Sequence, residues 1–240
     1  DLLAPARLDL ARRLHQASFV DSEGRPRDGL AARELRRRLA LAEIEVLSLE
    51  DNLLAAAPEC LTSLPRLRLL TLRCNALHTL APEALLAVTG LTSLDLDFNR
   101  ISDMPPELAR CAGLRKLCLA HNRLQELPPA VLELTELQIL LLSSNNLDVL
   151  PREVGVRLQR LRVLQVDGNN LYSLPAELGR LGRLALLDAA DNHLPTLPPA
   201  LAGCGLLRAV SVSGNPMACL PQGLMQLTRL EQLRAARTLL

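Results

Sequence analysis

A chain of 240 residues with a formal net charge of +1 exerts no global pull on nucleic acid or on a membrane surface. Hydrophobic residues make up 49% of it, yet aromatics make up only 1% and Trp is absent, so core volume must come from Leu, Val and Ala. That excludes the irregular, aromatic-filled core usual in a compact enzyme, and no run of about 18 apolar residues marks a transmembrane helix.

In chain order, "PARLDLARRLHQ" (5–16) and "GLAARELRRRLALAE" (29–43) predict amphipathic helices around the polar turn "DSEGRPRDG" (21–29). From Ile44 the pattern changes to L-x-x-L-x-L-x-x-N-x-L. This phrase restarts at Ile44, Leu67, Leu91, Leu114, Leu137, Leu161, Leu184 and Leu207, with a truncated copy from Leu230. Its ninth position is asparagine in every complete copy: Asn52, Asn75, Asn99, Asn122, Asn145, Asn169, Asn192 and Asn215. A second apolar phrase follows each copy, as in "LPPAVLEL" (127–134) and "LPAELGRL" (174–181). Leucines two apart share one strand face, so Leu94 and Leu96 point inward while Asp95 points out. Proline at Pro105, Pro128, Pro151, Pro175 and Pro198 keeps the second phrase from becoming a regular helix. The copies from Leu67 and Leu137 each carry one extra residue after the eleventh position, which places the surplus on the face opposite the strands.

These motifs resemble the leucine-rich repeat family, in its short intracellular form with an L-P-x-x-L-x-x-L second half, over about residues 44 to 240. The resemblance implies an α/β solenoid: a right-handed superhelical horseshoe with a parallel concave β-sheet and an irregular or 3₁₀ convex side. Residues 1–43 then serve as a helical N-terminal cap over the first core layer, and residues 44–240 form eight full repeats plus a partial ninth. The copy from Leu230 stops in mid-phrase, so either a native segment is missing or "LTRLEQLRAARTLL" (227–240) folds differently and forms the cap, and the expectation is a piece of something longer. The asparagines read as a structural ladder, because an inward amide carries both donors and acceptors for the turns of adjacent repeats.

Catalytic chemistry finds no constellation. Cys111 and Cys204 occupy equivalent positions four repeats apart, roughly 20 Å from strand spacing, far beyond disulfide reach. The other cysteines fall at different repeat positions, with no CxxC and no N-x-[ST] sequon, which points to a reducing, cytoplasmic setting. Cys118 and His121 beside Asp95 and Asp97 are residue types able to hold a metal, but they read as unrelated surface groups. No catalytic residue, metal or cofactor is expected.

The expected working surface is the concave face, at the third, fifth and seventh positions of each repeat. Candidate protein-binding residues are Val46, Leu69, Asp95, Asp97, Lys116, Ile139, Leu141, Val163, Gln165, Asp167, Leu186 and Asp188. Ile139, Leu141, Val163 and Leu186 should form an apolar patch with Asp167 and Asp188 beside it, the signature of a docking surface. The expected partner is another protein with a basic and apolar docking segment, with no nucleic acid, membrane or small-molecule substrate. An arginine-rich strand-start edge (Arg66, Arg68, Arg115, Arg160, Arg162, Arg183, Arg208, Arg229) reads as a solvated rim. The resulting expectation is a scaffold or signalling adaptor. The alternatives are a targeting or regulatory module of a larger signalling enzyme and a structural subunit of a cytoplasmic or ciliary assembly.

Overall fold

A computed structural model describes residues 7–9, 44–58, 61–62 and 64–239. One parallel sheet runs through it in strict chain order, from β1 to β10. The strands are β1 (Arg7–Asp9), β2 (Val46–Ser48), β3 (Leu69–Thr71), β4 (Ser93–Asp95) and β5 (Lys116–Cys118), then β6 (Ile139–Leu141), β7 (Val163–Gln165), β8 (Leu186–Asp188), β9 (Ala209–Ser211) and β10 (Gln232–Arg234). From β2 onward every strand holds the third to fifth positions of its repeat, and pairing keeps equivalent positions opposite one another, as in Ile139↔Val163 and Val163↔Leu186.

Strand β1 departs from the helix expected over 5–16: Arg7, Leu8 and Asp9 pair with Val46, Leu47 and Ser48 of β2. The rest of that helix and the one expected over 29–43 lie outside the described residues. Leu8-Asp9-Leu10 is the same tripeptide as Leu94-Asp95-Leu96. Three residues of alternation cannot outvote a helical period around them, so only the neighbouring strand decides the conformation.

The leucines fill one continuous core. Leu91, Leu94, Leu96 and Ile101 are all buried, as are the equivalent residues of adjoining repeats such as Leu137, Leu140, Leu142 and Leu147. On the convex side, prolines precede short 3₁₀ segments at Pro106–Arg110, Pro129–Glu133, Ala176–Arg180, Pro199–Gly203 and Gln222–Gln226. A proline fixes φ near −65° and lacks an N–H; the residues before these segments have φ from −56 to −69°. The two 24-residue repeats differ in the place expected, carrying α-helical turns at Pro82–Ala87 and Glu153–Arg157. The extra residue admits the longer bonds Leu85 N–H to Ala81 O (3.4 Å) and Leu158 N–H to Val154 O (3.2 Å).

Gly155, Gly179 and Gly203 allow the last convex segments to pack backbone on backbone. A Cβ on Gly179 would lie 2.0 Å from the Ala200 carbonyl oxygen, and one on Gly155 would lie 2.2 Å from that of Glu177. Each strand from β2 to β10 also leaves the sheet through a left-handed residue at the eighth position: Asp51, Cys74, Phe98, His121, Ser144, Gly168, Asp191, Gly214 and Arg237 all have φ between 48 and 68°.

Candidate protein-docking face

The ninth-position asparagines hold those left-handed turns together. Asn145 is typical: its amide donates to Leu142 O in its own repeat (3.0 Å) and to Leu119 O in the preceding one (2.8 Å), while its oxygen accepts the Leu124 N–H (3.0 Å). The same pattern recurs from Asn75 to Asn215, with each rung reaching back one repeat. Thr238 occupies the ninth position of the last copy and donates only to Ala235 O, so that rung serves its own turn alone. These residues are scaffold, and they aim the strand side chains at the concave surface.

On that surface Ile139, Val163 and Leu186 stand side by side on β6, β7 and β8, each part-exposed, and Ala209 continues the row on β9. Leu141 flanks them, opposite Gln165, which in turn lies opposite Asp188. Asp167 accepts a hydrogen bond from the Ser143 hydroxyl (2.5 Å) and is part-exposed. Asp188 accepts the Ala190 N–H (3.1 Å). Burial pushes its carboxyl above the usual range, with repulsion from Asp167 adding to the shift and the Ala190 N–H, Ser211 and Arg234 opposing it. Lys116 closes the apolar row on the β5 side. Val46 is half-buried, and Leu69 is exposed at 40%.

The expected N-terminal acids separate into two kinds. Asp95 is part-exposed and caps the Asp97 N–H (3.0 Å). Asp97 is only 7% exposed; it accepts the Ala120 N–H (2.6 Å) and forms an ion pair with Arg73 (3.2 Å). Its carboxylate is committed to the fold and is not a free docking acid. Burial first, then repulsion from Asp95, raises its pKa, against the Ala120 N–H, Arg73 and His121. A raised carboxyl pKa means the folded state binds more protons than the unfolded one between the unfolded value near 3.8 and the folded value. This group's contribution to stability therefore falls as pH rises through that window. Asp97→Asn keeps an acceptor for Ala120 and removes the repulsion. Its stability relative to wild type, measured as a urea midpoint, should improve as pH increases from about 4 to 7.

Asp95, Asp97 and Cys118 do come together, with ligand-type atoms within 4.8 Å of one another. The Cys118 thiol is buried and pushed up to about 12 by that burial and then by the two aspartates, so it carries its proton at neutral pH. His121 is not part of this group. Its ring stacks on Phe98 (centroids 4.1 Å apart), and the Arg73 guanidinium lies 4.5 Å from the centre of the Phe98 ring. This three-repeat stack, together with Tyr172 tilted on His193 at 5.1 Å, places both described aromatic side chains at the strand-exit edge rather than in the core. Phe98 and His121 at equivalent positions of adjacent repeats were the available sequence signal.

On the opposite edge Arg68, Arg160 and Arg208 pair with Glu45, Glu136 and Glu231. Exposed pairs of this kind add little stability. Among the described residues the cysteines at 74, 111, 118, 204 and 219 are free thiols, and no helix is long and apolar enough to cross a membrane.

The Leucine rich repeat family profile matches residues 42–101 and 112–171, together half of the chain. The chain belongs to the leucine-rich repeat family. Comparison with curated protein sequences found no match. Among solved structures, the LRR ectodomain of the Arabidopsis thaliana receptor kinase GASSHO1/SCHENGEN3, in complex with CASPARIAN STRIP INTEGRITY FACTOR 2, is similar at 31% identity and a TM-score of 0.73. That match covers 82% of this chain and 24% of the receptor chain. An internalin (inlF) from Listeria monocytogenes shares the fold at 22% identity and a TM-score of 0.73, over 83% of this chain and 57% of its own. The plant peptide hormone receptor RGFR1, in complex with RGF2, does so at 22% and 0.65, over 85% and 37%. The leucine-rich repeat chain thus spans less than two thirds of each of these structures.

Proposed function

We propose that this leucine-rich repeat protein is a non-enzymatic scaffold that docks a partner protein on its concave face. The observation that carries the reading is the part-exposed row Ile139, Val163 and Leu186, with Leu141 beside it and Asp167 and Asp188 along one flank. Apolar groups held in water by a rigid sheet gain free energy when covered, and a preordered surface loses little entropy on binding. The acids select a partner with basic residues next to its apolar ones. Two similar solved structures are receptors recorded in complex with CASPARIAN STRIP INTEGRITY FACTOR 2 and RGF2, which supports a protein or peptide partner. The free buried thiols support a reducing, intracellular setting.

The test is affinity capture from the native cell with wild type and with the double variant Leu141→Asp, Val163→Asp, each checked by circular dichroism. The double variant should keep its fold and lose at least about tenfold of the captured partner, which corresponds to roughly 1.4 kcal/mol. Equal capture by a folded double variant would sink the proposal.

A further inference from the structure

The concave row has a spacing that selects the shape of what binds it. Ile139, Val163 and Leu186 are in register on adjoining hydrogen-bonded strands, so they recur about every 4.8 Å along the solenoid axis. An α-helix lying along that axis offers one apolar residue per turn of about 5.4 Å, and i, i+3 or i+4, and i+7 stay within about 1 Å of the row across three strands. An extended segment in the same direction offers same-face side chains about every 6.7 Å and is out of step by roughly 4 Å across the same span. Polyproline II, at about 9.3 Å per turn, meets only every second strand, so seating it on Ile139 and Leu186 leaves Val163 between them uncovered.

The flanks of the row carry opposite charge. Asp167 and Asp188 lie on the strand-exit side, at the seventh and fifth positions of their repeats. On the strand-start side stands the exposed Arg162, which forms no ion pair among the described residues. With an apolar stripe facing down, a helix can meet both flanks only when its basic residues lie on one side and any acids on the other. Reversing the helix exchanges those sides, so the charges also fix its direction.

We propose that the occupant of the concave face is an amphipathic α-helix of the partner protein, laid across β6 to β9 along the solenoid axis. Its apolar stripe seats on Ile139, Val163, Leu186 and Ala209, and an arginine or lysine flank meets Asp167 and Asp188. This rests on the concave-face reading above and names the form and chemistry of its partner.

A direct probe is a designed peptide of about 14 residues with leucines at i, i+3, i+7 and i+10 and arginines along one flank, held helical by a lactam bridge on its outer face. A second peptide has the same composition with a central proline and no bridge. Fluorescence anisotropy against the whole chain should show the helical peptide binding at least about tenfold tighter than the proline peptide. Val163→Asp should weaken it, and the pair Asp167→Arg, Asp188→Arg should weaken it while binding a glutamate version of the peptide instead. That exchange cannot come from misfolding. Equal binding of both peptides, each weakened by Val163→Asp, overturns the helical form and leaves the concave face standing. Binding untouched by Val163→Asp and by the charge exchange, or no binding by the helical peptide at about 1 mM, overturns the inference. The concave reading itself still stands or falls on partner capture.

Discussion

Replacing Asn145 by alanine should lower stability by about 2–4 kcal/mol, more than any exposed substitution on the molecule. The Leu124 N–H loses its acceptor outright, and it is buried beneath the turn. Leu119 O and Leu142 O lose only one of two donors, because Asn122 and Asn169 also reach them. That sharing keeps the cost below the sum of three orphaned groups. Asn145→Asp should cost more at neutral pH, since a carboxylate keeps the acceptor for Leu124 but turns unprotonated oxygen toward carbonyl oxygens. Urea midpoints give the magnitudes. Hydrogen exchange should show the loss concentrated in the repeats around β5 and β6 and fading toward β9, as expected where each repeat touches only its neighbours. A uniform loss of protection, or a cost under about 1 kcal/mol, would show that the ladder is not what ties the turns together.

Gly179→Ala is the second large effect. The new methyl would stand 2.0 Å from the Ala200 carbonyl oxygen and 2.6 Å from its carbon, both backbone atoms that no rotamer change can move aside. The convex segments at Ala176–Arg180 and Pro199–Gly203 must separate, at a cost of about 3 kcal/mol or more, at the upper end for overpacking. Gly182→Ala is the control: a Cβ there meets nothing within 4 Å, so its midpoint should stay within about 0.5 kcal/mol of wild type. If both glycines tolerate alanine equally, the close packing of the convex face carries no stability.

Those glycines also mark where sequence reasoning stopped. Gly179 and Gly203 both lie in 3₁₀ segments and serve close packing between repeats, a role that no residue beside them announces. Contact between segments 24 residues apart has no local pattern. The strand positions were legible because a two-residue alternation tied to an invariant asparagine fixes register, and register alone aligns Ile139, Val163 and Leu186. Burial within the concave face was not legible. Asp97 and Asp95 look alike in sequence, but Arg73 and the Ala120 N–H, each a repeat away, draw only Asp97 inward. Strand β1 was hidden for the opposite reason, since Leu8-Asp9-Leu10 carries the strand phrase without the asparagine that announces it elsewhere.

The backward reach of the asparagine rungs has a consequence for biosynthesis. From Asn75 to Asn215, each rung bonds to groups 21 to 27 residues earlier in the chain, never to those later, apart from the short bonds within its own turn. A ribosome adding roughly 5–20 residues per second releases one repeat every few seconds at most, long compared with closing a loop of that size. Each emerging repeat therefore finds its partner groups already outside the exit tunnel, and its arrival completes the turn before it. No rung from Asn75 to Asn215 has to wait for a segment not yet synthesised.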